Sequence, residues 1–258
     1  MLAVQAALRG GASLVALAEE LHLNVFRHPD PAVPLVGLKY NQLDSPKLHP
    51  VVRECRGIVL EEGSWSLVAK GFNRFFNVGE DGEDFAKFDW SDFSCTSKED
   101  GSLILLYYYA NEWRVNTSGS FAFGDVQGYA TSWCELFWAT SGIKPDDLKG
   151  LEEHTLVFEM CTPYNRVVRR YETPRTYLLS TFVGGSEVGV QDLYARFLER
   201  NVRLPESYRF SSNEKNRIRP SRGWSFETTP DVDSSGRRRL MWLYTSLRTT
   251  ATFCCLSE

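Results

Sequence analysis

The chain has 258 residues, enough for one large domain or for one domain with a smaller appendage. Its apolar share of 43% and charged share of 24% are ordinary for a globular protein, and a net charge of -4 gives no overall field that would hold nucleic acid, so any polyanion site must be a local patch. No apolar run reaches the roughly 18 residues of a membrane span, and the N-terminus lacks the basic start and apolar core of a secretory signal.

The cysteines and histidines are scattered along the chain. Of the six cysteines only Cys254 and Cys255 are adjacent, and no C-x-x-C pair is present. This pattern disfavours a structural metal site and is typical of free thiols in a reducing compartment. We therefore expect a cytoplasmic protein without membrane contact.

The first part of the chain predicts one helix and then strands. Residues 13–23 carry leucines at helical spacing on one face and glutamates on the other, which indicates a short amphipathic helix. Residues 35–40 predict a strand, followed by a polar loop through Pro50. Arg56 then stands at the mouth of an apolar strand over residues 54–60, where an ordinary surface arginine is the simpler explanation.

The middle of the chain places a lysine between two strand-like runs. Lys98 is followed by Asp100 and Gly101, and residues 103–109 are rich in β-formers. This arrangement suits a nucleophilic amine at a phosphate site, because glycine lets the backbone approach a ligand and an aspartate can orient the amine. So short a motif also arises by chance, and the alternative is a loop in which Asp-Gly makes a tight turn.

The chain beyond the lysine predicts further strands and two helices. Residues 110–112 predict a hairpin turn, residues 155–160, 165–171 and 177–183 predict strands, and residues 125–140 (capped by Asp125) and 190–199 predict helices. Glu159 lies near the end of one apolar strand. A charge in so apolar a run needs a partner, which a ribose hydroxyl, a hydrated metal ion or an arginine can supply.

The charged residues can act together in one reaction, the transfer of a nucleotide to a lysine. A lysine is protonated at neutral pH unless burial or nearby cations lower its pKa. Arg56, Arg74 and a metal-bound triphosphate can lower it, and they also neutralise charge on the transferred group. The expected product is a lysine that carries a nucleotide through a P–N bond.

Several segments together resemble the phage-type ATP-dependent RNA ligases, the class typified by bacteriophage RNA ligase 1. They agree with this family in sequence and in order over residues 35–185, which is more specific than any single motif. The matching segments are Tyr40-Asn41, Glu54-Cys55-Arg56-Gly57, Phe75-Phe76-Asn77 with Glu80, Lys98-Glu99-Asp100-Gly101-Ser102, Gly119-Ser120, Phe158-Glu159, and Pro163 with Asn165-Arg166.

The resemblance implies an α+β fold, an antiparallel-sheet nucleotidyltransferase (adenylyltransferase) domain with flanking helices and ATP between two sheets. It also implies three chemical steps with ATP and Mg²⁺ as cofactors. A lysine takes AMP from ATP and releases pyrophosphate, the AMP passes to an RNA 5′-phosphate, and an RNA 3′-hydroxyl then displaces the AMP. The expected partners are RNA ends that carry a 5′-phosphate and a 3′-hydroxyl.

The resemblance also implies roles for the matching residues. Lys98 is the expected nucleophile, and Arg56 faces phosphate. Tyr40 and Phe76 lie near the nucleoside, and Glu159 lies near the ribose or a metal-bound water. The residues expected to bind ATP are Tyr40, Arg56, Arg74, Phe76, Glu99, Gly101 and Glu159. No residue is assigned as a metal ligand.

The chain departs from the family pattern at three places. Arg74 stands where the family often has lysine, and arginine keeps the charge but not the shape. Ser118 stands where the family often has a basic residue. Past residue 205 the family's Glu-Gly-x-Val-Val strand and Lys-x-Lys strand, which hold phosphate during the first attack, are missing or altered. Residues 221–227 and an arginine-rich tail without predicted strands stand in their place.

This C-terminal tail has two explanations, a divergent end or a shift of reading frame near residue 220. Back-translation one base early recovers Glu-Gly-Val-Val-x-Arg from residues 221–227 and Asp-Val-Ala-Leu-His from residues 240–245, although codon freedom makes each recovery weak. The transcript sequence distinguishes the two explanations. We predict a nucleotidyltransferase domain over residues 1–205 and a divergent, frameshifted or disordered tail over residues 206–258.

The altered tail leaves the activity of the chain open. The prediction is an ATP-dependent RNA ligase that acts through a lysine–AMP intermediate, with activity that the missing strands impair. The alternatives are an inactive nucleotide- or RNA-binding protein, a truncated product of the same family, and a DNA ligase or capping-type nucleotidyltransferase with the same lysine chemistry.

Overall fold

The computed structural model describes residues 1–77, 95–208, 225–226 and 242–243 of the chain. These residues belong to two compact units. The first unit consists of residues 1–72 and 100–204, and the second consists of residues 73–99 and 205–258.

The helices of the described residues are short. They are α1 (Ala3–Arg9), α2 (Leu14–Glu20), α3 (Pro50–Glu54), α4 (Trp133–Ser141) and α5 (Gln191–Tyr194), with 3₁₀ turns at Pro145–Leu148 and Ala195–Phe197. The predicted helix over residues 13–23 is confirmed, but it ends at Glu20 because the chain enters a strand at Leu23. The loop predicted through Pro50 missed α3, which begins at that proline, a residue suited to a first helical position.

The strands of the first unit are more extensive than its helices. They are β1 (Leu23–Arg27), β2 (Leu35–Tyr40), β3 (Arg56–Glu61), β4 (Leu67–Ala69), β7 (Ser102–Tyr109), β8 (Glu112–Thr117), β9 (His154–Cys161), β10 (Arg175–Val183), β11 (Ser186–Glu187) and β12 (Val202–Arg203), while β5 (Phe76–Asn77), β6 (Cys95–Ser97), β13 (Ser207–Tyr208), β14 (Ser225–Phe226) and β15 (Trp242–Leu243) belong to the second unit.

The first sheet has the order β1-β2-β3-β4, and all its neighbouring strands are antiparallel. Val36, Leu38 and Ile58 are fully buried and pack with the apolar faces of α1 and α2. The carboxylate of Glu54 accepts hydrogen bonds of 2.9 Å from the backbone N–H groups of Ala3 and Val4, at the positive end of α1. These contacts fix the N-terminal helices on one face of the sheet.

The second sheet has the order β11-β10-β9-β7-β8, with β12 parallel to β10. Ile104, Phe158 and Phe137 of α4 are buried in the core on one of its faces. The predicted hairpin turn is confirmed, because Ala110 and Asn111 have φ values of 52° and 63°, as a two-residue turn of the primed type requires.

The other faces of the two sheets pack against each other. A Cβ added to Gly71, which follows β4, would lie 3.0 Å from the Leu105 side chain and 3.4 Å from that of Val157. The Tyr109 hydroxyl donates a 2.8 Å hydrogen bond to Glu61. Since Glu159 alternates with the core residue Phe158 along β9, its side chain belongs to the face that carries Val157.

Three sequence predictions in the second half of the chain are corrected. Asp125 does not cap a helix over residues 125–140, because α4 begins only at Trp133, where the Ser132 hydroxyl accepts from the Glu135 N–H. Residues 165–171 form a loop rather than a strand, since side-chain hydrogen bonds hold their backbone. The helix predicted over residues 190–199 is reduced to α5 and a 3₁₀ turn.

The second unit is built around β6. This strand pairs with β13 in antiparallel and with β15 in parallel orientation, and β5 pairs with β14 in antiparallel orientation. The tail, which was expected to lack strands, therefore contributes two strands of two residues each. The rest of residues 209–258 lies outside the described part of the structure, which therefore does not test the proposed frame shift. The α+β class with antiparallel sheets is confirmed.

The N-terminal cap of α4 gives a test of local stability. Ser132→Ala removes the hydroxyl that accepts from the Glu135 N–H at 3.2 Å, and we expect it to lower the free energy of unfolding by about 1 kcal/mol. Urea unfolding followed by circular dichroism measures the loss. Ser132→Thr keeps the acceptor and is the matched control, so an equal loss in both variants would contradict the capping role.

Candidate functional site

A close approach of two backbones lies at the start of β7. The Gly101 N–H donates a 2.9 Å hydrogen bond to Oε1 of Glu159, and a Cβ added to Gly101 would lie 2.2 Å from the Met160 carbonyl oxygen. No side chain other than that of glycine fits there. The sequence predicted a partner for the Glu159 charge, and the backbone N–H of Gly101 is one such partner.

A second close approach joins the first sheet to the end of β8. Gly57 has a φ of +88°, and a Cβ added to it would lie 2.9 Å from Cα of Ser118. The left-handed conformation and the short distance both require glycine. The segment that carries Arg56 is thus held against the segment that carries Ser118.

Lys39 also lies near the contact between Gly57 and Ser118, although the sequence did not mark it as a site residue. Its Nζ lies 3.3 Å from the position of a Cβ added to Gly119, and its Cα pairs in register with that of Arg56 across β2 and β3. Lys39 and Arg56 are both half-buried. The signal in the sequence was a lysine directly before Tyr40 in an otherwise apolar strand, but alternation alone does not reveal its neighbour on another sheet.

The strand register places these groups at one end of the second sheet. Leu103 pairs with Glu159, and Ile104 pairs with Thr117, so Gly101, Glu159 and the 118–119 segment lie close together at the start of β7. Tyr40 is half-buried, and its backbone N–H donates a 2.7 Å hydrogen bond to the Cys55 carbonyl oxygen, one residue before Arg56. The first unit therefore gathers Tyr40, Arg56, Gly101 and Glu159, together with Lys39.

The Asp100 carboxylate holds a distant loop. Its Oδ2 accepts hydrogen bonds from the backbone N–H groups of Val168 at 2.8 Å and Arg169 at 2.5 Å. The Asp100 N–H donates to the Tyr171 hydroxyl at 3.1 Å. Orientation of the Lys98 amine by this aspartate stays a prediction, and fixing the loop is a function of Asp100 that the sequence did not reveal.

The remaining candidates lie in the second unit. Lys98 directly follows β6 and is half-buried, whereas Glu99 is 7% exposed and accepts a 2.9 Å hydrogen bond from the Ser97 hydroxyl. Arg74 is 1% exposed. The backbone of Phe76 pairs with that of Phe226, and its side chain lies outside the described part of the structure.

Neither a metal-binding cluster nor a membrane-spanning helix occurs among the described residues. Within residues 1–77, 95–208 and the two short tail strands, no three His, Cys, Asp or Glu side chains are grouped to hold a metal ion. No helix in that part of the chain is both long and apolar enough to cross a membrane. Cys55 and Cys134 are free cysteines.

The contact at Gly101 predicts a strong effect of one added methyl group. In Gly101→Ala the new Cβ meets a backbone oxygen that cannot move without disturbing the pairing of β7 with β9, so we expect a loss of about 1–3 kcal/mol in the free energy of unfolding. Gly124→Ala is the matched control, because nothing lies within 4 Å of a Cβ added there. Thermal unfolding of both variants measures the difference, and equal midpoints would contradict the steric argument.

Comparison with known protein sequences places the chain among RNA ligases. A family model described as RNA ligase matches residues 54–183. The chain is 29% identical to a protein named as a bifunctional polynucleotide kinase/RNA ligase from Autographa californica nuclear polyhedrosis virus, with 57% of this chain and 24% of that protein aligned. It is also 29% identical to an RNA ligase of Rhodothermus phage RM378, with 58% of this chain and 44% of that protein aligned. The chain thus spans less than half of the length of either relative.

Solved structures with the same fold include two ligases. A protein named as an ATP-dependent DNA ligase from Aquifex aeolicus aligns with 90% of this chain and 62% of its own length, at a TM-score of 0.52 and 12% identity. An archaeal ATP-dependent RNA ligase aligns with 79% of this chain and 52% of its own, at a TM-score of 0.52 and 9% identity. At these identities the likeness shows the nucleotidyltransferase fold of the ligases. Since the RNA ligase model matches half of the sequence, this chain belongs to the RNA ligase family.

Proposed function

We propose that this chain is the nucleotidyltransferase domain of an ATP-dependent RNA ligase in which Lys98 carries the AMP. The observation that supports this most is the sequence Lys98-Glu99-Asp100-Gly101 at the entry to β7, where Gly101 holds Glu159 by a hydrogen bond. The family match covers this segment and both of its neighbouring strands. The proposal therefore rests on a lysine that stands three residues before the glycine whose backbone N–H holds Glu159.

In the first proposed step, the neutral amine of Lys98 attacks the α-phosphorus of ATP. A P–N bond forms, the bond between the α-phosphorus and the bridging oxygen breaks, and pyrophosphate leaves with that electron pair while the amine gives up a proton. Cations close to the triphosphate lower the barrier because they offset the charge that builds up on the leaving group. We assign this task to Arg56 and Arg74, and to Lys39.

The second and third proposed steps use RNA ends. An oxygen of an RNA 5′-phosphate attacks the phosphorus of the lysine–AMP, the P–N bond breaks, and the lysine leaves as an amine that takes up a proton. The RNA then carries AMP on its 5′-phosphate through a P–O–P bond. A 3′-hydroxyl attacks the RNA phosphorus and loses its proton, the P–O–P bond breaks, AMP leaves with that electron pair, and a phosphodiester bond remains. The 5′-phosphate and 3′-hydroxyl ends are the partners that this chemistry requires.

Nucleoside binding is assigned to the remaining candidates. Tyr40 and Phe76 are assigned to the base and Gly101 to the ATP site, as the resemblance to the family implies. We assign Glu159 to the ribose or to a water on the metal, since its side chain lies on the face between the two sheets of the first unit. Glu99 is assigned to the support of the lysine segment, because its carboxylate is bonded to Ser97.

Magnesium is proposed to enter with ATP. This ion keeps several waters and is usually held by substrate phosphates with one or two carboxylates, so it does not need a dedicated cage of protein ligands. Bound magnesium would neutralise part of the triphosphate charge, while Lys39 and Arg56 approach from adjacent strands.

Lys39 is proposed as the cation that serves in place of the basic residue expected at Ser118. Lys39 and Arg56 occupy paired positions on β2 and β3. The Lys39 amine reaches the backbone of Gly119, next to Ser118. Lys39 of β2 therefore places a positive charge beside Ser118, the position where the family often has a basic residue.

The first test is covalent labelling of the purified chain with α-labelled ATP and magnesium. We expect a weak label on Lys98, because the tail lacks the paired lysines that would hold phosphate during attack, and we expect Lys98→Ala to remove it. No label from folded protein would contradict the proposed lysine–AMP intermediate for this chain. Restoring the alternative reading frame after residue 220 should strengthen the label.

The same assay separates the alternative functions. Transfer of AMP to 5′-phosphorylated RNA supports the proposal, whereas transfer to nicked DNA or labelling by GTP indicates a DNA ligase or a capping-type enzyme. Binding of ATP or RNA without any covalent adduct indicates an inactive binding protein.

The assignment of Lys39 has its own test. Lys39→Ala removes a charged contact to phosphate, and we expect the Kd for ATP to rise about tenfold, the scale of one charged hydrogen bond. Calorimetry measures this independently of labelling. Lys144→Ala, which removes an exposed lysine, is the control. Ser118→Lys in the Lys39→Ala background should restore affinity, and unchanged affinity of Lys39→Ala would refute the assignment.

A further inference from the structure

The loop between β9 and β10, residues 162–171, is anchored at both ends although it contains no regular secondary structure. We name it the arginine loop. At its start, the buried Asn165 side chain donates to the Met160 carbonyl oxygen at 2.7 Å and to the Ser102 hydroxyl at 2.9 Å, and it accepts from the Thr162 N–H at 2.8 Å. These bonds tie the start of the loop to β7 and β9.

The second half of the arginine loop is held by Asp100. The carboxylate of this residue accepts from two successive backbone N–H groups, those of Val168 and Arg169. Tyr171, which is 6% exposed, closes the loop by accepting from the Asp100 N–H. A loop fixed in this way does not have to be ordered again when a ligand binds, which reduces the entropic cost of binding.

The outer surface of the arginine loop is cationic. Arg166, Arg169 and Arg170 are all exposed, and no acidic residue occurs between residues 162 and 171. The Arg169 guanidinium lies 5.1 Å from the centre of the Tyr171 ring, a cation–π distance that orients it. In a chain with a net charge of -4, this is the kind of local patch that a polyanion requires.

Aromatic and apolar groups accompany the arginines. Tyr164 of the loop and Tyr129 are each 44% exposed, and their rings meet edge to face with centroids 4.7 Å apart. Val167 and Val168 are also 61% and 41% exposed. Exposed rings beside arginines are the combination that binds single-stranded nucleic acid, because bases stack on rings while guanidinium groups contact phosphates.

We propose that the arginine loop is the docking surface for a single RNA strand. Arg166, Arg169 and Arg170 contact its phosphates, and the pair Tyr129–Tyr164 receives an unpaired base. This inference rests on the proposed RNA ligase function, which it deepens by naming the surface that the substrate contacts. Asp100, which holds the loop, follows Lys98 by two residues in the sequence.

The test compares RNA binding by two triple variants of the full chain. In Arg166→Ala/Arg169→Ala/Arg170→Ala we expect the Kd for a 5′-phosphorylated single-stranded RNA, measured by fluorescence anisotropy, to rise at least about tenfold. The slope of log K against log salt should fall by about 2, since each phosphate contact on a single strand contributes about 0.7. The matched control removes the same charge from exposed arginines elsewhere, in Arg9→Ala/Arg196→Ala/Arg203→Ala.

An equal loss of affinity in both triple variants would show that only the net charge matters, and it would overturn the proposal. Unchanged affinity in the loop variant would also overturn it. Competition by polyglutamate as strong as by RNA would indicate an acidic peptide as the ligand and would equally overturn it. Labelling of Lys98 by ATP should be the same in the loop variant and the unchanged protein. Absence of labelling in the protein without substitutions would instead contradict the proposed function. Failure of the docking proposal and failure of the proposed function are therefore distinguishable.

A second variant separates anchoring from charge. Asp100→Ala removes a negative charge beside the arginines, so electrostatics alone predicts tighter RNA binding. Because the carboxylate holds the loop, we expect weaker binding and faster hydrogen exchange of the Val168 and Arg169 amides instead. Tighter RNA binding by this variant would show that the loop needs no anchor, and it would refute the proposed pre-ordered surface.

Discussion

The hydrogen bond between the Gly101 N–H and the Glu159 carboxylate is the contact on which the described site depends. It forms only because the backbone at residue 101 lies against the Met160 carbonyl oxygen, where a Cβ would stand 2.2 Å away. The pairing of β7 with β9 sets this distance, since Leu103 and Glu159 are opposite each other. One glycine thus couples the register of the central strands to the position of the acidic side chain.

The cationic side of the site is assembled in a different way. Lys39 and Arg56 come from adjacent strands of the first sheet, and the close contact of Gly57 with Ser118 brings that sheet edge to the end of β8 in the second. Glycine is needed at residue 57 for its positive φ as well as for the short distance. Packing of two sheets, rather than any single motif, brings these positive charges to one region of the first unit.

The sequence anticipated the elements with strong periodicity. The strand at residues 35–40 and the hairpin around Ala110 and Asn111 are found as predicted, because alternation and turn residues act locally. Asp125 was a plausible cap, but the helix begins only after Ser132, where a hydroxyl and Glu135 form a reciprocal cap. The segment at residues 165–171 has the composition of a strand, and contacts to distant residues override that preference.

By itself the sequence determined the class of the fold and the family, since these follow from residue types and their order, and its assignment of residues to nucleotide chemistry stays a prediction. Only the tertiary structure decided that Lys39 reaches Gly119 and that Asp100 holds the arginine loop. Both contacts join residues far apart in the chain, and their geometry depends on sheet packing and strand register. The local sequence pattern predicts which face of a strand a side chain occupies. Which distant residue that side chain then contacts depends on how the whole chain folds.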